Sequence, residues 1–360
     1  MLLSRRDMLA ASAALALPTA ARAQRGGAGA GTIIGVTWGG PQLDAAKPIA
    51  SAWAKDHPNQ RVAWEIHEGS SSAVVGKLQA TWPNPKLSLL HVNDPAVHLM
   101  NAEGWLVAMD DLPNMQLVPD QFKIRNAQGQ SVAAPHCASS VCWGYRPDLV
   151  EGPINKLTDL LEPRFKGKVG FRDVNSWSGL PLVSIAREFG GSERDVDPAF
   201  DFLAKLAKTG AISNVGKSNA DVINAMNLGV SAVTFAGITE WTEISKQHKV
   251  VLLNKVPDSP AFRAFYTVIQ WAVPKSPNSA AVKDLVNFFL ETENDTAYSK
   301  AIGVAPANAK STLFNPIGAL LSQDELQKFG YFCDFGLMGR SEHGWTDRFD
   351  TQIRPLLRQS

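Results

Sequence analysis

The sequence carries no surplus of one charge, little cysteine and little tyrosine. Its 35 Lys and Arg stand against 34 Asp and Glu. That balance excludes a basic nucleic-acid binder, which needs a marked positive excess. Three Cys form an odd set, so at least one stays unpaired. Cys137 and Cys142 lie five residues apart. On one extended strand their side chains face opposite sides and cannot bond. Buried free thiols are therefore expected, with a bridge to Cys333 as the alternative. No apolar run reaches the ~20 residues that span a bilayer. No internal repeat and no low-complexity core is present. What the chain does have is a folded-protein balance, 45% hydrophobic and 19% charged, over 360 residues. Such a length suits two domains or one large one. Ten Trp against four Tyr is a high ratio. Trp combines a flat apolar face with one donor, which suits a core or a small-ligand cleft.

The first residues read as an address. Arg5-Arg6 precedes a short apolar run over residues 9–17, Pro18 ends it, and Ala21-Arg22-Ala23 offers small residues to a signal peptidase. A secretory signal peptide cut after Ala23 is expected, followed by a flexible leader over residues 24–31. Ser4-Arg5-Arg6-Asp7-Met8-Leu9 resembles the twin-arginine export motif, the route of already folded proteins. An ordinary secretory signal carrying Arg-Arg is the alternative. Cleavage removes three Arg and one Asp, leaving 32 basic and 33 acidic residues.

Beyond the leader, strand and helix patterns alternate. Residues 32–37, 61–67 and 87–92 read as strands, with helices over 43–57, 73–80 and up to 102. The hydroxyls of Ser70 and Ser71 are placed to cap the second helix. A long extended run covers 132–146. Strands follow at 168–171 and 232–235, helices at 180–189, 198–206 and 218–228, a second long extended run at 265–273 and an amphipathic helix at 280–291. Alternation of this kind implies mostly parallel sheet, and such sheets bind ligands at the carboxyl ends of their strands. The loops at those ends are Trp38-Gly39-Gly40, residues 69–72, Asn93-Asp94, residues 173–179 and residues 236–241. Each is polar, Gly-bearing or Trp-bearing.

Catalytic patterns fit poorly. Gly216-Lys217-Ser218 lacks the glycine five residues before it that a phosphate loop needs, and reads better as a helix cap at Ser218. Gly27, Gly29 and Gly31 precede a strand, so they are leader and not a dinucleotide loop. Residues 175–179 lack the first glycine of a nucleophile elbow. His91, Asp94 and His98 have metal-like spacing, but Pro95 interrupts any shared helix face, and Asp94 reads as a helix cap. No metal or cofactor is expected. Trp38, Trp177 and Trp241 suit stacking walls, Ser176 and Thr239 supply hydroxyls, and Glu240 suits a ligand amine.

With these residues in place the chain resembles the extracellular solute-binding proteins of ABC importers, in their polyamine-binding-like branch. The resemblance runs from about Thr32 to Asn308. Val36-Thr37-Trp38-Gly39-Gly40 is similar to the opening strand and loop. Residues 101–110, from Asn101 to Asp110, resemble a helix, Gly and Leu-x-x-Asp stretch. Residues 132–135 with Trp143-Gly144-Tyr145-Arg146 are similar to the first crossing between lobes. Residues 157–169, from Leu157 to Val169, are the most specific match. Residues 271–278 resemble the return crossing and residues 303–308 a late loop.

The resemblance implies a type II periplasmic-binding-protein fold of class α/β. Two lobes, each a mostly parallel sheet flanked by helices, close on a cleft. It implies lobe 1 over 32–138 plus 270–310, lobe 2 over 139–269, and C-terminal helices over 311–360 packing on both. Hinges are expected near 138–141 and 268–272. It implies a monomeric periplasmic receptor, not an enzyme, whose partners are a small polar, amine-bearing ligand and the permease subunits of an ABC transporter. Trp38 matches a stacking position, Asn93 a ligand-contacting Ser and Phe235 an aromatic. Thr267 and Ile269 stand where polyamine binders place an aromatic and a carboxylate. The candidate site is thus Trp38, Ser70, Ser71, Asn93, Asp94, Ser139, Ser176, Trp177, Phe235, Thr239, Glu240, Trp241 and Thr267. A secreted enzyme using Glu240 or Asp94 as base is the competing reading.

Overall fold

A computed structural model describes residues 31–67, 71–174 and 176–357. The signal peptide, its cleavage site and the leader as far as residue 30 lie outside the described residues. The strands are β1 (Thr32–Trp38), β2 (Arg61–His67), β3 (Leu89–Asn93), β4 (Ala134–Tyr145), β5 (Val169–Arg172), β6 (Ile212–Gly216), β7 (Val233–Gly237), β8 (Val251–Leu253), β9 (Ala264–Ala272), β10 (Ala305–Pro306) and β11 (Gly330–Phe332). The α-helices are α1 (Pro41–Asp56), α2 (Ser72–Gln79), α3 (Asp94–Ala102), α4 (Leu180–Glu188), α5 (Asp197–Lys208), α6 (Asn219–Asn227), α7 (Ile238–Ser245), α8 (Ser279–Phe289), α9 (Thr292–Ile302), α10 (Gln323–Phe329), α11 (Phe335–Arg348) and α12 (Arg354–Leu357).

Local chemistry explains most boundaries. Proline in the first turn starts α1, α3, α4 and α5, where its missing N–H costs nothing. Ser218 caps α6, its Oγ accepting from Asp221 N at 3.1 Å while the Asp221 carboxylate accepts from Ser218 N at 2.9 Å. The cap reading of the Gly216-Lys217-Ser218 run therefore holds. Ser71, by contrast, makes no side-chain cap to α2. Its hydroxyl donates to Asn93 Oδ1 at 2.9 Å instead. Asp94 does not cap α3 either; Asn93 holds the cap position without a side-chain bond.

The strands run in the order β2-β1-β3-β9-β4-β7-β5-β6. β2, β1 and β3 are mutually parallel, and so are β7, β5 and β6. Between these parallel groups lie β4 and β9, antiparallel to each other, with β9 antiparallel to β3 and β4 antiparallel to β7, while the short β11 adds to β9 in parallel. The two lobes therefore share one continuous sheet rather than holding separate ones. Parallel strands buried on both faces read as apolar runs, and β3, β5 and β7 do so. The 212–216 strand was not expected; its Ser-Asn pair and half-buried residues mark a polar sheet edge.

Helices cover both faces. α1 and α8 pack around Trp53, Trp271 and Phe289, while α4 and α5 pack on Phe171 and Phe235. α11 packs against α3 at one end and against residues 176–179 at the other. Cys137 and Cys142 are buried free thiols in separate core clusters, and Cys333 is also free. Among the described residues, no helix is long and apolar enough to cross a membrane.

Candidate functional site

Register locates the site. The carboxyl end of β3 pairs Asn93 with Ile269, whereas the carboxyl end of β7 pairs Gly237 with Val141, itself opposite Phe265. Tyr266, Thr267 and Val268 lie between these levels. Ser139 pairs with Thr267 in this middle stretch. The strand-end loops of the two parallel groups therefore approach it from opposite directions.

On the first side, Trp38 ends β1 half-buried, its ring 4.4 Å from that of His67 and 5.6 Å from that of His91. Ser71 Oγ donates to Asn93 Oδ1 and accepts from Asn93 N at 3.3 Å, joining the β2 and β3 loops. Asp94 is buried at the start of α3. Gln270 Nε2 donates to its Oδ1 at 2.7 Å and Val268 N to its Oδ2 at 3.4 Å. Burial raises its carboxyl to about 7 against those stabilising bonds. Asp94 thus clamps α3 to the return crossing, with both oxygens engaged. A cavity of about 280 Å³ lies beside it, lined by His98, Lys123, Tyr266, Val268 and Phe335 among others. Ser70 lies outside the described residues.

On the second side, Arg172 closes β5 almost fully buried. Its Nε donates to Ser176 Oγ at 2.9 Å, Nη1 to Ser218 O at 2.8 Å and Nη2 to Asn219 Oδ1 at 2.8 Å. Its guanidinium sits 4.7 Å from the ring centre of Trp177. Trp177 holds a positive φ of 48°. That conformation is rare for a bulky residue and clusters at functional loops. A methyl placed on Gly237 would lie 3.3 Å from Trp177 Cζ2 and 2.9 Å from Glu240 Oε2. Glycine therefore lets the ring and the carboxylate meet over the end of β7. Glu240 is 2% exposed, and its Oε1 has no hydrogen-bond partner. Burial raises its carboxyl, opposed by the amides at the start of α7 and by the Arg172 charge. Thr239 is exposed beside it.

Two expected residues belong to the core instead. Phe235 is fully buried, edge-on to Trp143 and Phe265. Trp241 is fully buried, its Nε1 donating to Cys142 O at 3.2 Å. It fills a slot that Gly144 opens, since a methyl there would lie 2.7 Å from its ring. Neither has a face left for a ligand. His91, Asp94 and His98 do not form a metal group, because Asp94 turns to Gln270. Arg172 and His67 were missed. The available signal was polarity at strand ends: each is the last residue of its strand, where a parallel sheet presents side chains to ligand.

A family model described as bacterial extracellular solute-binding protein matches residues 48–325. Solved structures share the fold. An ABC transporter protein of Clostridium perfringens is 19% identical, with a TM-score of 0.71 over 89% of this chain and 100% of that one. A spermidine/putrescine substrate-binding protein of Streptococcus pneumoniae is 15% identical, with a TM-score of 0.64 over 91% and 98%. An iron-bound protein of Pseudomonas aeruginosa is 19% identical, with a TM-score of 0.67 over 88% and 98%. At these identities the likeness establishes the fold, that of two-lobed periplasmic binding proteins. No curated protein matches the chain.

Proposed function

This chain belongs to the bacterial extracellular solute-binding proteins, and we propose that it is a periplasmic receptor delivering a small amine-bearing solute to the permease subunits of an ABC importer. The lobes divide at the middle of β4 and β9, near 138 and 269, and the C-terminal helices pack on both. The observation that carries the ligand class is the buried, unpartnered Oε1 of Glu240 beside Trp177. A buried carboxylate oxygen without a donor costs free energy, and a ligand ammonium would satisfy it. Trp38 and Trp177 supply the stacking faces, with Ser71, Asn93, Ser139, Ser176, Thr239 and Thr267 as the polar lining.

A buried Thr267 on the return crossing supplies no second charge, which favours one amine over two. A thermal-shift screen over monoamines, putrescine and spermidine tests the class, because a ligand selective for the folded state raises the melting temperature. With the best amine, Glu240→Gln should weaken binding by roughly 1.5–3 kcal/mol, the range for charged hydrogen bonds. Equal affinity in both proteins, or stabilisation by neutral and anionic solutes alone, removes the amine reading.

A further inference from the structure

A second set of ligand-type side chains gathers beneath that site. His91 lies in β3, and His136 and Cys137 lie in β4, all without solvent exposure. In a regular strand consecutive residues face opposite sides. Here the register slips: Pro135 pairs with Gln270 and Cys137 with Ile269, leaving His136 as an extra residue. A bulge of this kind re-aims side chains. It brings both onto the side of Tyr298: the His136 ring lies 4.2 Å from the Tyr298 ring, and Cys137 shares a core cluster with Tyr298.

One donor atom from each of His91, His136 and Cys137 lies within 4.8 Å of the others. His91 Nε2 and His136 Nδ1 are 3.1 Å apart, against roughly 3.3 Å for two nitrogens bound tetrahedrally to one ion. The other nitrogen of His91 meets Thr37 Oγ1 at 3.0 Å, the kind of outer partner that orients a metal-bound imidazole. His136 Nε2 is buried with no hydrogen-bond partner.

We propose that His91, His136 and Cys137 form a closed site for one soft metal ion, best matched by Cu(I). The donor set is two imidazoles and one sulfur, and soft sulfur ligands select Cu(I) or zinc. Charge decides between them. Cu(I) with one thiolate is neutral, whereas zinc leaves a net positive charge in an apolar core. Binding breaks the imidazole–imidazole hydrogen bond, its proton moving to the other nitrogen of the same ring, and sends the Cys137 thiol proton to solvent, with no change of oxidation state. The ion would tie β3 to β4 under Trp38. A leader of the twin-arginine kind, carrying folded chains, would allow loading before export. This site is separate from the proposed amine pocket and does not depend on it.

The test uses the full mature chain, unfolded and refolded anaerobically with excess Cu(I), then challenged with bathocuproine disulfonate. The expected result is one retained equivalent, with X-ray absorption showing nitrogen and sulfur neighbours. Cys137→Ser and His136→Gln should each weaken retention by at least tenfold, while Cys333→Ser retains it. Circular dichroism identifies any variant that does not fold, and the absorption spectrum of the unsubstituted protein then decides alone. No retained copper, coordination without sulfur, or unchanged retention in folded Cys137→Ser overturns the proposal.

Discussion

Replacing Arg172 by Met should cost stability through a charge left behind. Arg172 donates three hydrogen bonds, to Ser176, Ser218 and Asn219, and its guanidinium faces Trp177. It also supplies the positive charge felt by buried Glu240. The Met side chain keeps much of the apolar stem but leaves three acceptors without their donor and one buried carboxylate without its nearby positive charge. Each buried acceptor left without its donor costs about 1–3 kcal/mol, so losing three hydrogen bonds puts the loss at about 4 kcal/mol or more. Unfolding entropy is about 2.1 cal/mol/K per residue. Over roughly 330 residues, 4 kcal/mol then lowers Tm by ~6 °C. The diagnostic is the double variant Arg172→Met with Glu240→Gln. Neutralising the stranded carboxylate should recover at least ~1 kcal/mol, because part of the loss is its uncompensated desolvation. Urea unfolding of the four proteins closes the cycle. A single variant as stable as the parent, or a double variant no better than Arg172→Met, refutes this electrostatic coupling.

Trp38→Ala should weaken ligand by roughly 1–3 kcal/mol while Tm without ligand moves little, because its ring is half-buried at a strand end; a loss of ~3–5 kcal/mol in stability with unchanged affinity would assign it to the core. Asp94 and Asp295 both have folded-state carboxyls raised to about 7 from 3.8 by burial. At each of these two sites the folded state therefore holds more protons, so the stability each contributes is full below pH ~4 and falls as pH rises towards ~7, by about 4 kcal/mol at most for each. Urea unfolding between pH 4 and 8 should show Asp94→Asn and Asp295→Asn each losing that decline relative to the parent, whose own profile also carries the opposite rise from His91 and His136, lowered by burial; variant profiles parallel to the parent's contradict it. Cys137 and Cys142 are buried with thiols pushed up, the latter to about 12. Metal-free native protein should leave both unreacted with Ellman's reagent at pH 8, and rapid labelling of either would show an open core.

The alternation of strand and helix was legible because its causes are local. Buried parallel strands read as apolar runs, and Pro41, Pro95, Pro181 and Pro198 mark helix starts. Sheet polarity then named the loops. What the sequence could not resolve was direction within a loop. Glu240 and Trp241 are neighbours on α7, one facing the strand ends and the other the core. The choice depends on Gly144, 97 positions away, whose missing side chain makes the slot for Trp241. Arg172 was overlooked for a related reason: its partners Ser218 and Asn219 are the cap and first residue of α6, which follows β6, a strand whose polar edge hid it.

The His91, His136 and Cys137 group was further out of reach. Spacing of 45 residues carries no metal signature, and adjacent residues in a strand are read as facing apart. Only the slip of register between Pro135 and Cys137 reverses that, and it arises from pairing with β9, where the partner of Cys137 is Ile269, 132 residues later in the chain. A bulge is a property of two strands together. Chemistry assembled by one therefore stays invisible until both strands have been placed, whereas chemistry at a strand end can be read from one strand and its direction.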